Sequence, residues 1–279
     1  MSIFVNTNTA ALNAQRNLFS SSSELNKSYE RLSSGFRINS AADDAAGMQI
    51  AERITSQVQG LSQSVRNAND AISLSQTAEG ALNETTTALQ RIRQLAIQAQ
   101  NGINSSADRS ALQKEVKALI LEISRIATDT KFNGTKILTG GFSAKFMVGA
   151  NAGQSISVNL SKKNISGMDG FSATGLKLND QKVDTADNAS AMIGKVDSAL
   201  SSILQMRGGL GALENRFQST IRNLSNVNEN LQAARSRVQD TDFAVETSNL
   251  TRNQIIQQAS LSILAQANQS PQTALLLLG

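Results

Sequence analysis

The chain contains no cysteine, no histidine and no tryptophan, and it has a single proline, Pro271. Without cysteine no disulfide can form, so stability rests on packing alone. Without histidine and cysteine there is no Ser-His or Cys-His nucleophile pair. Imidazole or thiolate zinc sites, and haem or iron–sulfur ligation by these residues, are excluded as well. No paired-carboxylate acid–base motif stands out. Aromatic residues make up only 4% of the 279 positions. A compact enzyme core of this size normally uses more aromatic bulk, whereas Leu, Ile, Val and Ala suffice to fill the seams between long helices. The expectation is a helical structural protein with no catalytic role, cofactor or metal.

Other absences narrow the class further. The net charge is only +4, and Lys and Arg are scattered through the helical segments, which reads as a solvated helix face and not a nucleic-acid patch. LLLL at Leu275 to Leu278 is far too short to span a bilayer. A basic stretch followed by an apolar one is missing from the N-terminus, so no cleavable secretory signal is expected.

What is present is helical periodicity. The first charged side chain is Arg16; before it, Phe4 and Ala11 begin a row that Leu18, Leu25 and Leu32 continue at intervals of seven, with Val5, Leu12 and Phe19 broadening the stripe. Gly35 and Asn39 break it. A second helix is predicted after Ser40, with Asp43 and Asp44 near its positive N-terminal end. Its stripe, Ile54, Val58, Leu61, Val65, Ala68 and Ile72, continues through Leu82, Leu89 and Ala96 to a stop at Gly102, a length on the order of 85 Å. Ser105 and Asp108 form a capping-box pattern for a third helix, striped by Leu112, Val116, Leu119, Ile123 and Ile126 and closed by Phe132-Asn133-Gly134. Period-two alternation at Ile156, Val158 and Leu160, with Phe146 and Val148 opposite and GANAG between, predicts a β-hairpin. Irregular, surface-exposed chain follows to about Asp184. The last helical region begins near Asp187 and carries one long stripe, from Ile193 through Leu210, Phe217 and Leu224 to Val238. Gly208, Gly209 and Gly211 within it mark either close helix approach or a bend.

From Asn253 to Gly279 no side chain is charged. Apolar residues there lie on more than one side: Ile256, Ala259 and Ile263 on one, Leu261 and Leu264 on another. One partner helix cannot cover both, so the two chain ends are expected to pair with each other and bury the remainder against further copies. The residues assigned to this role are Phe4, Leu12, Leu18, Leu25, Leu32, Leu250, Ile256, Ile263 and Leu264. Pro271 is expected to stop the last helix and leave Gln272 to Gly279 as a short cap. The predicted fold is mainly α, a long antiparallel helical bundle with one small β-hairpin. Residues 1–42 and 240–279 are expected to form a terminal coiled-coil domain, and 43–239 a long-helix rod domain with the hairpin near 137–160.

Long stretches also carry a family likeness. IFVNTNTAALNAQRNL at the start, LSSGFRINSAADDAAGMQIAERI from Leu32 to Ile54, QRIRQLAIQAQNG from Gln90 to Gly102, FNGTKIL and AKFMVGANAGQSISVNL closely resemble bacterial flagellin. So does ARSRVQDTDFAVETSNLTRNQIIQQASLSILAQANQSPQ, Ala234 to Gln272. The resemblance covers essentially the whole chain in the family's order. It implies a subunit of the bacterial flagellar filament, an extracellular helical polymer used in swimming. The paired end helices would form an inner tube and the long helices an outer tube. Partners implied are other copies, the type III export apparatus, an export chaperone, and the filament cap and hook–filament junction proteins. Animals sense this family through a Toll-like receptor, and position carries that contact to Arg91, Leu95 and Glu115. Two departures are visible: where many flagellins insert large variable domains this chain has only Ser161 to about Asp187, and it ends LLLLG where the family often ends in a basic residue.

Overall fold

The computed structural model describes residues 7–161 and 169–276, with side chains to residue 270. Phe4 therefore lies outside the described residues. Five helices form: α1 (Thr9–Ser34), α2 (Ala45–Gln100), α3 (Ser106–Asp129), α4 (Ala186–Gln239) and α5 (Phe243–Leu276). Four short strands lie between α3 and α4: β1 (Lys131–Phe132), β2 (Thr135–Lys136), β3 (Gly141–Met147) and β4 (Ser155–Ser161). The chain divides into two compact units, Met1–Ser56 with Asn230–Gly279, and Gln57–Glu229.

Helix boundaries follow the local chemistry. Asn8 caps α1, its side-chain oxygen accepting from the Ala11 N–H, and Gly35 ends the helix in the left-handed conformation with its N–H returned to the Arg31 carbonyl. Asp44 accepts from the Gly47 N–H at 2.9 Å at the start of α2. Ser105 and Asp108 form both halves of the capping box at α3. Asn133 and Gly134 both have positive φ, 47° and 78°, which suits the tight two-residue turn joining β1 to β2.

In the Gln57–Glu229 unit the hairpin is antiparallel, with Phe146 opposite Ile156 and Phe142 opposite Leu160. Ile156, Val158 and Leu160 are buried while their alternates are not, the expected result when one sheet face packs on a core. Its tip lies on α2. Asn67 Nδ2 donates to the Met147 carbonyl at 3.1 Å, and a Cβ on Gly60 would stand 3.2 Å from that of Ala150, so this glycine permits the close approach of the GANAG turn. Phe146 meets Phe217 of α4 edge-on at 6.2 Å.

Leu82, Leu89, Ile92, Ile123, Ile203 and Phe217 are among the fully enclosed side chains of the core, each contributing roughly 2–3 kcal/mol by leaving water. Buried hydroxyls within it stay satisfied by bonding back along the helix: Ser75 to the Ala71 carbonyl at 2.9 Å and Thr86 to that of Leu82 at 2.8 Å.

Two expectations change. Residues 169–185 are irregular but not a surface excursion, because Phe171, Ala173, Leu176, Leu178 and Val183 are buried in the core. The segment is held by backbone N–H groups: Phe171 to the Leu138 carbonyl at 3.2 Å, Ala173 to Ser124 Oγ at 3.3 Å and Val183 to Gln113 Oε1 at 2.6 Å. Secondly, Gly208, Gly209 and Gly211 lie within a continuous α4, and apart from their own turns of helix nothing lies within 4 Å of where their Cβ atoms would be. Among the described residues no close approach explains them.

Candidate assembly surface

The terminal helices α1 and α5 pack against each other, and they do so antiparallel, since Asn8 reaches Ala267, Tyr29 reaches Gln254 and Arg31 reaches Glu246. The seam obeys a heptad on both sides. On α1 one row is Ala11, Leu18, Leu25 and Leu32, with Leu25 buried and the others half-buried; the second row is Ala14, Ser21 and Ser28, all buried. On α5 the row is Glu246, Leu250, Asn253, Gln257, Ser260, Leu264 and Ala267, of which Glu246, Ser260 and Ala267 are buried. Leu264 thus belongs to the seam and not to an outward face, because its spacing from Leu250 and Ser260 places it there.

This seam is unusually polar. Small residues at Ala14, Ser21 and Ser28 let the helices come close, and Ser21 Oγ is satisfied by the Leu18 carbonyl at 3.1 Å. Gln254 Nε2 donates to the Tyr29 hydroxyl at 3.1 Å. Near one end Arg31 and Glu246 form an ion pair at 3.5 Å, with the Glu246 side chain only 8% exposed. The α4–α5 junction is tied down beside it: the Arg37 N–H donates to the Gln239 carbonyl at 2.7 Å and the Thr241 N–H to that of Gly35 at 2.9 Å, flanking a Phe36–Asp240 bridge. Asp43 accepts from the Ser40 and Asn39 amides and from Lys27, 3.2 Å away. Those bonds, the Ser40 amide foremost, hold its carboxyl down at about 2 despite the opposing effect of burial.

The larger apolar side chains point the other way. Leu12 is 54% exposed and Phe19 79%, while Ile255, Ile256, Leu261 and Ile263 are 42–61% exposed. Grooves run along these outer faces, one of about 670 Å³ lined by Thr9, Leu12, Asn13, Gln15, Arg16 and Phe19, another of about 450 Å³ beside Ile255 and Ile256. The seam mixes leucines with small and polar residues and leaves Leu12, Phe19, Ile255, Ile256, Leu261 and Ile263 uncovered. Sequence reading missed Ser21, Ser28, Ser260, Asn8 and Glu246 as pairing residues. Heptad position, read without regard to polarity, would have found all but Asn8.

The receptor-contact residues lie in the other unit. Arg91 of α2 and Glu115 of α3 are exposed and bonded to each other at 2.7 Å. Leu95 is 1% exposed and packs in the core. Among the described residues no His, Cys, Asp and Glu group could hold a metal ion, and no helix is long and apolar enough to cross a membrane.

A helical chain whose apolar residues are left uncovered on its two paired ends is a structural subunit built for assembly. Comparison with known proteins identifies which kind. Residues 5–143 match the bacterial flagellin N-terminal helical region and residues 193–278 the bacterial flagellin C-terminal helical region. Flagellin B of Vibrio cholerae is 39% identical over a 376-residue alignment covering all of both chains, and Flagellin C of Vibrio anguillarum is 40% identical over 377 residues with the same coverage. A solved Vibrio parahaemolyticus structure, described as that of a flagellar hook-associated protein, is alike in fold alone. It covers 71% of this chain and all of its own at a TM-score of 0.60 and 13% identity. The chain belongs to the bacterial flagellin family. It is a structural subunit of the flagellar filament, outside the cell, and not an enzyme. Because the alignments are longer than its 279 residues, it is a short form whose relatives carry segments it lacks.

Proposed function

We propose that the α1–α5 pair forms the inner wall of the filament and the Gln57–Glu229 unit its outer wall. In this reading the terminal helices gain full order only as neighbouring copies cover Leu12, Phe19, Ile256, Leu261 and Ile263. The observation that carries it is the outer face of the terminal pair, where Leu12, Phe19, Ile255, Leu261 and Ile263 are each more than half exposed while the seam mixes leucines with small and polar residues. A pair of that kind has little to hold it together alone, so its ordering entropy is offset at assembly. The Asn and Gln side chains of α5 meet neighbours without stranding charge, or face a water-filled channel.

The same reading extends to partners. An unfolded passage through the type III export apparatus, guided by a chaperone, is followed by addition at the distal tip beneath the cap, on a base of hook–filament junction proteins. The absence of any disulfide to break suits such passage. For an animal Toll-like receptor, the exposed Arg91–Glu115 pair is the reachable part of the carried-over contact, with Leu95 supporting it from below. Circular dichroism of heat-dissociated subunit against filament tests the coupled ordering: helicity is expected to rise on polymerisation, and equal helicity in both states sinks it. Removing residues 253–279 should leave a folded Gln57–Glu229 unit that cannot polymerise. Normal filaments from that truncation would refute the assignment of α5.

A further inference from the structure

Pro271 lies inside α5, which continues to Leu276, although a proline there should stop the helix. It has no N–H to give to the carbonyl four residues earlier. The carbonyl in question belongs to Ala267, a residue only 9% exposed, where a carbonyl left without a donor is costly. It is not left empty: Asn8 Nδ2 donates to the Ala267 oxygen at 2.7 Å. The other end of the same amide, Oδ1, accepts from the Ala11 N–H at 3.0 Å. Both ends of one side chain are committed, one to each terminal helix, and the two contacts fix which end is nitrogen and which is oxygen.

We propose that Asn8 is a register pin: it replaces the hydrogen bond that Pro271 removes and so locks the first turn of α1 against the end of α5. The need for a pin follows from the seam. Ala14, Ser21 and Ser28 on one side and Asn253, Gln257 and Ser260 on the other are small or polar, and a slip of one heptad would exchange like for like. Register must come from contacts a slip destroys, and among the described residues these include Arg31–Glu246 near one end, Tyr29–Gln254 beside it and Asn8–Ala267 near the other. Pro271 contributes by removing the N–H that would ordinarily satisfy the Ala267 carbonyl within its own helix. In the filament, a slipped pair would present Leu12, Phe19, Ile256 and Ile263 out of step with neighbouring copies. That consequence rests on the filament role proposed above for the pair.

The test is a double-mutant cycle on the full chain, read as the temperature at which filaments dissociate. Asn8→Asp keeps a cap acceptor, and Asp caps helices as well as Asn, but it removes the donor and turns a carboxylate toward the carbonyl. A residue that merely caps α1 predicts no loss in N8D, whereas a pin predicts dissociation several degrees lower or no polymerisation at all. Pro271→Ala restores the internal N–H, so most of the N8D defect should vanish in N8D/P271A. Equal dissociation of N8D and wild type overturns the proposal, as does a double variant no better than N8D. Wild-type polymerisation is the control on the filament reading itself. Where a variant fails to polymerise alone, hydrogen exchange on that variant co-assembled into wild-type filaments reads the pin directly. Loss of protection at residues 8–12 and 267–276 in N8D, recovered in N8D/P271A, supports it, and unchanged protection overturns it.

Discussion

The two units solve the problem of packing helices in opposite ways. In the Gln57–Glu229 unit, α2, α3 and α4 turn Leu, Ile and Phe inward, and the hairpin and the 169–185 segment cover what the helices leave open. Its buried Ser75 and Thr86 hydroxyls are satisfied within their own helix. In the terminal unit the same heptad spacing sets Ser, Asn, Gln and Ala among the leucines of the seam, with further apolar residues turned outward. The same periodicity therefore yields a self-sufficient core in one place and an unfinished one in the other. Periodicity says which residues face a partner helix; only composition at those positions says whether that partner is enough.

The largest effect that sharpens this contrast is expected from Phe217→Ala, which empties a fully enclosed site. It should cost about 3–5 kcal/mol and lower the melting temperature of dissociated subunit and filament alike. Arg31→Met, by comparison, leaves the buried Glu246 carboxylate without its partner. A loss on the order of 2–4 kcal/mol is expected in filament dissociation only, with subunit melting unchanged. If R31M melts the subunit as strongly as F217A does, the terminal unit is self-sufficient after all.

Phe19→Ser should change subunit stability by under about 0.5 kcal/mol, yet raise the critical concentration for polymerisation by about tenfold or more. An unchanged critical concentration would mean that this ring meets no neighbour. The smallest effect concerns Glu214 of α4. Burial, with the Glu79 charge adding to it, holds its carboxyl above the ordinary range, and its Oε1 has no hydrogen-bond partner among the described residues. Because the folded state binds this proton more readily than the unfolded one, the penalty is absent below the unfolded value and appears as pH rises through the raised one. Glu214→Gln should accordingly raise subunit melting slightly at pH 7, by less than about 1 kcal/mol, and the gain should fade toward pH 4. A gain that grows on acidification would reverse the assignment.

Much of the fold was legible because apolar spacing is a direct record of burial. The stripe of α2, the capping box at Ser105 and the register of Phe146 against Ile156 all follow from it. The row Ala11, Leu18, Leu25, Leu32 gave one side of the terminal seam. The rest of it was illegible to a hydrophobic reading, since Ser21, Ser28 and Ser260 are polar residues buried by position and Asn253 and Gln257 half-buried ones. Residues 169–185 were misjudged for a related reason: without a period, Phe171, Leu178 and Val183 look like scattered surface residues, and only tertiary contacts reveal that they cap a core. Pro271 was read as a stop because local rules see a lost N–H and a clash. They cannot see Asn8, over two hundred and fifty residues away in the chain, arriving to fill the gap.

The short bridge at Phe36 and Asp240 has a mechanical side. Its two flanking backbone bonds, Arg37 to Gln239 and Thr241 to Gly35, lie across the chain direction as in any antiparallel pair. Sliding of one segment along the other therefore loads both in shear, and they must rupture together instead of peeling one after the other. The end of α1 and the start of α5 are in this way clasped side by side, so that neither can advance along its axis without the other.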